Sequence, residues 1–93
     1  MTSAKLLDTE IPRQYLDYVI GGIGGGIQIS GLILSDHPVT KMLKDLSNKK
    51  GEFVPFECTD SKGVYIGGIA KLEDVQLKEE PAGLRYRIHL HKQ

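Results

Sequence analysis

A chain of 93 residues, 40% apolar and 26% charged, has the make-up of one small globular domain, not of a disordered segment. So short a chain buries only about 60–65% of its unfolded surface, so its stability margin is thin. Twelve basic and twelve acidic side chains cancel. The broad positive field that draws nucleic acid or anionic membrane is therefore missing, as is the self-repulsion that would oppose packing in an assembly.

Cys58 is the single cysteine. It excludes an intramolecular disulfide, points to a reducing cytoplasmic setting, and reads as a small buried hydrophobe in a strand-like run. The opening "MTSAKLLDTE" lacks the apolar core of a secretion signal, and Tyr18–Ile29 is too short and glycine-rich to span a bilayer. A soluble protein is expected.

In chain order, "DTEIPRQYLDYVIGG" predicts a short N-terminal helix or arm over 10–20. Asp8 or Thr9 would cap it, Pro12 fits its first turn and Gly21 would stop it. The run Gly21, Gly22, Gly24, Gly25 and Gly26 follows. It reads as a joint over 21–26 that lets an arm, residues 1–25, reach a neighbour. A strand is predicted over 26–34, with Ile27 and Ile29 on one face and a fully apolar second half. The clearest element is an amphipathic helix over 37–50. Ser35 or Asp36 stands at its start, Val39, Met42, Leu43 and Leu46 form its apolar stripe, and Gly51 ends it. Strands are predicted over 52–58, 64–77 and 84–92. Pro55 argues for an edge position or a bulge, and Gly67-Gly68 for a break. In the last strand Leu84, Tyr86, Ile88 and Leu90 share one face while Arg85, Arg87, His89 and His91 share the other. The expected fold class is α+β, a single domain over 1–93 with an antiparallel sheet of about four strands covered by the helix.

Motifs that carry chemistry do not assemble. The glycine run lacks the third glycine of a dinucleotide fingerprint, and Ile27-Gln28 stands where a phosphate-binding loop needs Lys-Ser or Lys-Thr. A strand-like segment follows it, so no helix N-terminus would face a phosphate. His89 and His91 have a chelating spacing, but Arg85 and Arg87 on the same face oppose a divalent ion, and no acidic or cysteine ligand is tied to them. His37 reads as a local helix cap. Glu73-Asp74 and Glu79-Glu80 would point to opposite faces of a strand and form no acid/base pair. No catalytic residue, metal or cofactor is expected, and the protein is read as not an enzyme.

The stretch from Ile29 to Leu90, about two-thirds of the chain, resembles small bacteriophage tail proteins of the distal-tail and tail-terminator-like group. The likeness lies in the order of a strand ending "SGLIL", the helix "VTKMLKDLSNKKG", "EFVPFE", the turn "DSKG", "VYIGGIAKLEDVQL" and "RYRIHL". Those families carry a longer N-terminal β segment than is read here. The resemblance implies a structural subunit that self-associates or binds tail and baseplate proteins, in the host cytoplasm during assembly and then in the virion tail. The expected contact residues are Tyr15, Tyr18, Ile20 and Ile23 in the arm, with Arg85, Arg87, His89 and His91 on the last strand. Two alternatives stand beside it: a small nucleic-acid-binding module using the Arg/His face, and a small inhibitor of a host enzyme.

Overall fold

The structure, a computed structural model, describes residues 2–93, the side chain of Ile23 excepted. Its elements in chain order are β1 (Ser3–Leu6), β2 (Thr9–Ile11), β3 (Leu16–Gly21), β4 (Gly26–Ile33), α1 (Val39–Ser47), β5 (Phe53–Thr59), β6 (Tyr65–Glu80) and β7 (Gly83–Lys92). All pairings are antiparallel, and the strands form one sheet in the order β2-β1-β5-β6-β7-β4-β3. Among the described residues the fold is thus a seven-stranded sheet with one α-helix, which corrects the expected four-stranded α+β sheet under a covering helix.

The main correction lies at the N-terminus. Residues 10–20 form the end of β2, a short 3-10 turn at Arg13–Tyr15 and most of β3, not a helix. Physically, "YLDYVI" is rich in aromatic and β-branched side chains that prefer a pleated surface. Val19 gains full burial by pairing against Ile29. A four-residue strand such as β1 has little local preference. It becomes a strand because β5 offers it a ladder from Leu6 opposite Phe56 to Ser3 opposite Thr59. The glycine run, read from the sequence as a joint, connects β3 to β4 in a hairpin. Gly24 and Gly25 take φ of 85° and 92°, where a side chain would be strained. The Gly22 N–H donates to the Gly26 carbonyl across the turn at 2.6 Å.

The Gly67-Gly68 pair does not interrupt β6, which runs for 16 residues and pairs with β5 through its first half and β7 through its second. At Glu73 an extra residue shifts the register between Leu72 and Asp74. That bulge lets Leu72 and Val75, three apart, both point into the core. A second shift sits at Asp17 in β3.

The sheet curls until its edge strand β3 contacts β1. Ser61, in the β5–β6 turn, donates to the Val19 carbonyl through its backbone N–H (2.9 Å) and its hydroxyl (3.1 Å), so part of the β3 edge is occupied. Asp60 shapes that turn by accepting from the Lys62 and Val64 amides, each at 2.9 Å. Inside the curl lies one core of alternate strand residues, including Leu6, Ile29, Phe56, Leu72, Tyr86 and Ile88. The helix α1, shorter than the predicted 37–50, adds Val39, Met42, Leu43 and Leu46, and its main contacts are with β6 and β2. Its exit is tied down where Gly51 donates to Leu72 and Leu72 to Glu52, at 2.7 and 2.8 Å.

The accessible surface is 5294 Å², close to the roughly 5,400 Å² expected of a folded monomer of this mass. The chain therefore closes its own core. Among the described residues no helix is long and apolar enough to cross a membrane.

Candidate functional site on the outer face of the sheet

Because one face of every strand feeds the core, the side chains available to a partner lie on the outer face. On β7 these are Arg85, Arg87, His89 and His91, in register with Leu32, Ser30, Gln28 and Gly26 of β4 and with Lys78, Gln76, Asp74 and Lys71 of β6. Two strands away, Tyr18 pairs with Ser30 and Ile20 with Gln28. The fold thus brings Tyr18 and Ile20 onto the same surface as the four basic residues. Tyr15 is set apart, for its ring meets His37 edge-on at 5.2 Å and its carbonyl accepts from the Tyr86 hydroxyl at 2.7 Å. The side chain of Ile23, expected to make contacts, lies outside the described ones.

The four β7 residues are not equivalent. Arg85 is engaged, with Nε 3.0 Å from a Glu80 oxygen and Nη1 3.4 Å from Asp17 Oδ2. The hydrogen bond and charge of Glu80, then Asp17, hold its guanidinium pKa above the ordinary arginine range. Arg87 is exposed and forms no ion pair among the described residues. His91 is exposed, whereas His89 is part-buried and its Nε2 is buried without a hydrogen-bond partner. Its neighbour Asp74 is committed elsewhere, accepting from Lys50 Nζ (2.8 Å), the Val75 amide (3.0 Å) and Gln76 Nε2 (3.1 Å). The Lys50 hydrogen bond, then that from Gln76, draws the Asp74 pKa below the usual carboxylate range.

Other titratable residues singled out from sequence sit in local roles. His37 Nδ1 accepts from the Val39 amide at 3.1 Å at the start of α1. Glu79 accepts from the Ser35 hydroxyl at 2.9 Å. Cys58 is buried, and burial, then the charge of Asp60, pushes its thiol up to about 11. Among the described residues no three His, Cys, Asp or Glu side chains converge on a point that could hold a metal.

A second outer surface was not anticipated. On β5 and β6, Phe53, Tyr65 and Ile69 are 58%, 65% and 51% exposed, and Pro55 pairs directly with Ile69. Tyr65 lies over Gly67, whose missing Cβ would come within 3.0 Å of Tyr65 Cζ. The signal was present in "EFVPFEC". Val54, Phe56 and Cys58 already fill one face, so Phe53 must occupy the other.

Comparison with protein-family models, with curated proteins and with solved structures gives no match to this chain.

Proposed function

We propose that this protein is a non-enzymatic assembly subunit that works through protein–protein contacts, in the phage tail or baseplate setting that the sequence resemblance implies. The observation that supports this reading is the exposed apolar strip Phe53, Pro55, Ile69 and Tyr65 on the outer face of β5 and β6. Such a contiguous apolar strip, left in water on a domain that already closes its core, marks an interaction surface. Its occupant is a second copy of the chain.

Charge placement favours that occupant. Lys71 lies beside Phe53 at one end of the strip, and Glu57 lies one row beyond Pro55 toward the other. Stacking two such faces about a two-fold axis across the strands, centred on Pro55 and Ile69, inverts strand direction. Lys71 then faces the second copy's Glu57 across the interface, offset sideways by one strand spacing of about 4.8 Å over the roughly 10 Å between stacked sheets, a span two long side chains bridge. The absence of net charge leaves no long-range repulsion to overcome. Because the monomer surface is already of normal extent, association joins preformed units.

Sedimentation equilibrium tests this. Mass should rise toward twice the monomer value with concentration, and Phe53→Ser with Ile69→Lys should hold it at one while leaving the circular dichroism unchanged. A wild-type chain that stays monomeric at about millimolar concentration, where even weak contacts form, refutes the reading.

A further inference from the structure

We propose that the outer face of β7 carries a phosphoester-binding site centred on Arg87, fitted to a nucleoside phosphate. Two depressions adjoin along the surface of β3, β4, β7 and β6. One, of about 280 Å³, is bordered by Arg85, Arg87, Lys78, Ser30, Tyr18 and Asp17. The other, of about 260 Å³, is bordered by Ile20, Gln28, Glu73 and His89.

The first has the chemistry of an anion site. Three cations face one carboxylate, and that carboxylate, Asp17, is taken up by Arg85 together with Glu80. Arg87 and Lys78 are left without an acidic partner among the described residues. A guanidinium presents a planar fork of N–H donors that matches two oxygens of a phosphate, and Lys78 adds a point charge. Ser30, only 5% exposed and directly opposite Arg87, forms part of the wall and offers a hydroxyl.

The second depression supplies the independent observation. His89 Nε2 is shielded from water yet unpartnered, and Asp74, the carboxylate in register with it, is directed to Lys50, Val75 and Gln76 instead. In this rotamer protein atoms cover Nε2, so a ligand group reaches it only when the imidazole turns outward, a turn that gives the nitrogen the partner it lacks. Glu73 also borders the space, so a second anionic group is disfavoured there and a neutral, polar one is preferred. Arg87 and His89 are two residues apart on one face of β7, with their Cα atoms about 6.8 Å apart. The ligand therefore carries one phosphate and, within reach of the neighbouring imidazole, a neutral group able to hydrogen-bond it, with apolar surface to lie on Ile20. A nucleoside phosphate has that form, as a free nucleotide or within a single strand. This inference does not depend on the dimer.

The test is an amide NMR titration with inorganic phosphate, a nucleoside monophosphate and a short oligothymidylate. The monophosphate should move the Ser30, Gln76, Arg87 and His89 amides with saturation near or below about 1 mM. Arg87→Gln, an exposed change, should weaken all three probes about tenfold. His89→Phe should weaken the monophosphate several-fold and leave inorganic phosphate unchanged. Equal affinity for monophosphate and oligonucleotide assigns the site to free nucleotides. Tighter, steeply salt-dependent oligonucleotide binding assigns it to single strands. Absence of saturable shifts, shifts mapping to another face, or binding indifferent to Arg87→Gln overturns the proposal.

Discussion

Gly31 and Tyr86 form a coupled pair whose removal is measurable. The Tyr86 ring is fully buried, and its hydroxyl crosses the core to donate to the Tyr15 carbonyl at 2.7 Å. It passes over Gly31 of β4. A methyl group there would fall 2.8 Å from Tyr86 Cζ and inside contact distance of both the hydroxyl and the Tyr15 oxygen. Gly31→Ala therefore forces the ring or the Tyr15 segment away, at an overpacking cost of about 1–3 kcal/mol. The lost hydrogen bond adds about 1 kcal/mol. Tyr86→Phe removes only the hydroxyl and costs about 1–2 kcal/mol. For a domain of this size each kcal/mol lowers the melting temperature by about 4–8 °C. Urea unfolding of the two single variants and the double variant closes a cycle. Since Gly31→Ala already breaks the bond that Tyr86→Phe deletes, the double variant should lose less than the sum by at least about 1 kcal/mol. It should still fall below wild type, because the Tyr15 carbonyl clash remains. Strict additivity, or a Gly31→Ala variant within about 0.5 kcal/mol of wild type, would refute the reasoning.

Two further predictions concern the core and the β3 edge that Ser61 covers. Cys58 stays protonated in the fold up to about 11 while the unfolded chain's thiol ionises near 9.0. Its contribution to stability is complete below pH 9 and lost as pH rises to about 11, at up to about 1.4 kcal/mol per pH unit. Urea midpoints measured between those values should fall less steeply in Cys58→Ala, and identical slopes would count against a buried thiol. Tyr86, whose ionisation is raised by burial and then by the charge of Asp17, adds a loss that begins above its ordinary 10.0. Asp60→Ala removes two turn hydrogen bonds, costs about 1–2 kcal/mol, and frees Ser61 from Val19. With the β3 edge uncovered, hydrogen exchange at the Ser61 amide should accelerate and aggregation should become concentration-dependent. An unchanged Ser61 exchange rate contradicts this role.

What the sequence by itself determines is written at short range. The alternation from Leu84 to Leu90 assigns the two faces of β7, and the spacing of Val39, Met42, Leu43 and Leu46 makes one apolar stripe on α1. Such periods depend on backbone geometry alone. The candidate site was half legible for that reason. The Arg85, Arg87, His89 and His91 row follows from alternation, but which of them are free follows from Asp17 and Glu80, and Asp17 is distant in the chain. The tertiary structure alone decided that residues 3–21 hold three strands, that the glycine run turns a hairpin, and that the sheet has seven members among the described residues. A strand is stabilised by hydrogen bonds to another segment, and β1 finds its partner in β5 some fifty residues on. No local pattern encodes that pairing, because the contribution that selects it, burial of Leu6, Val19 and Ile11 in a shared core, exists only once the sheet has curled.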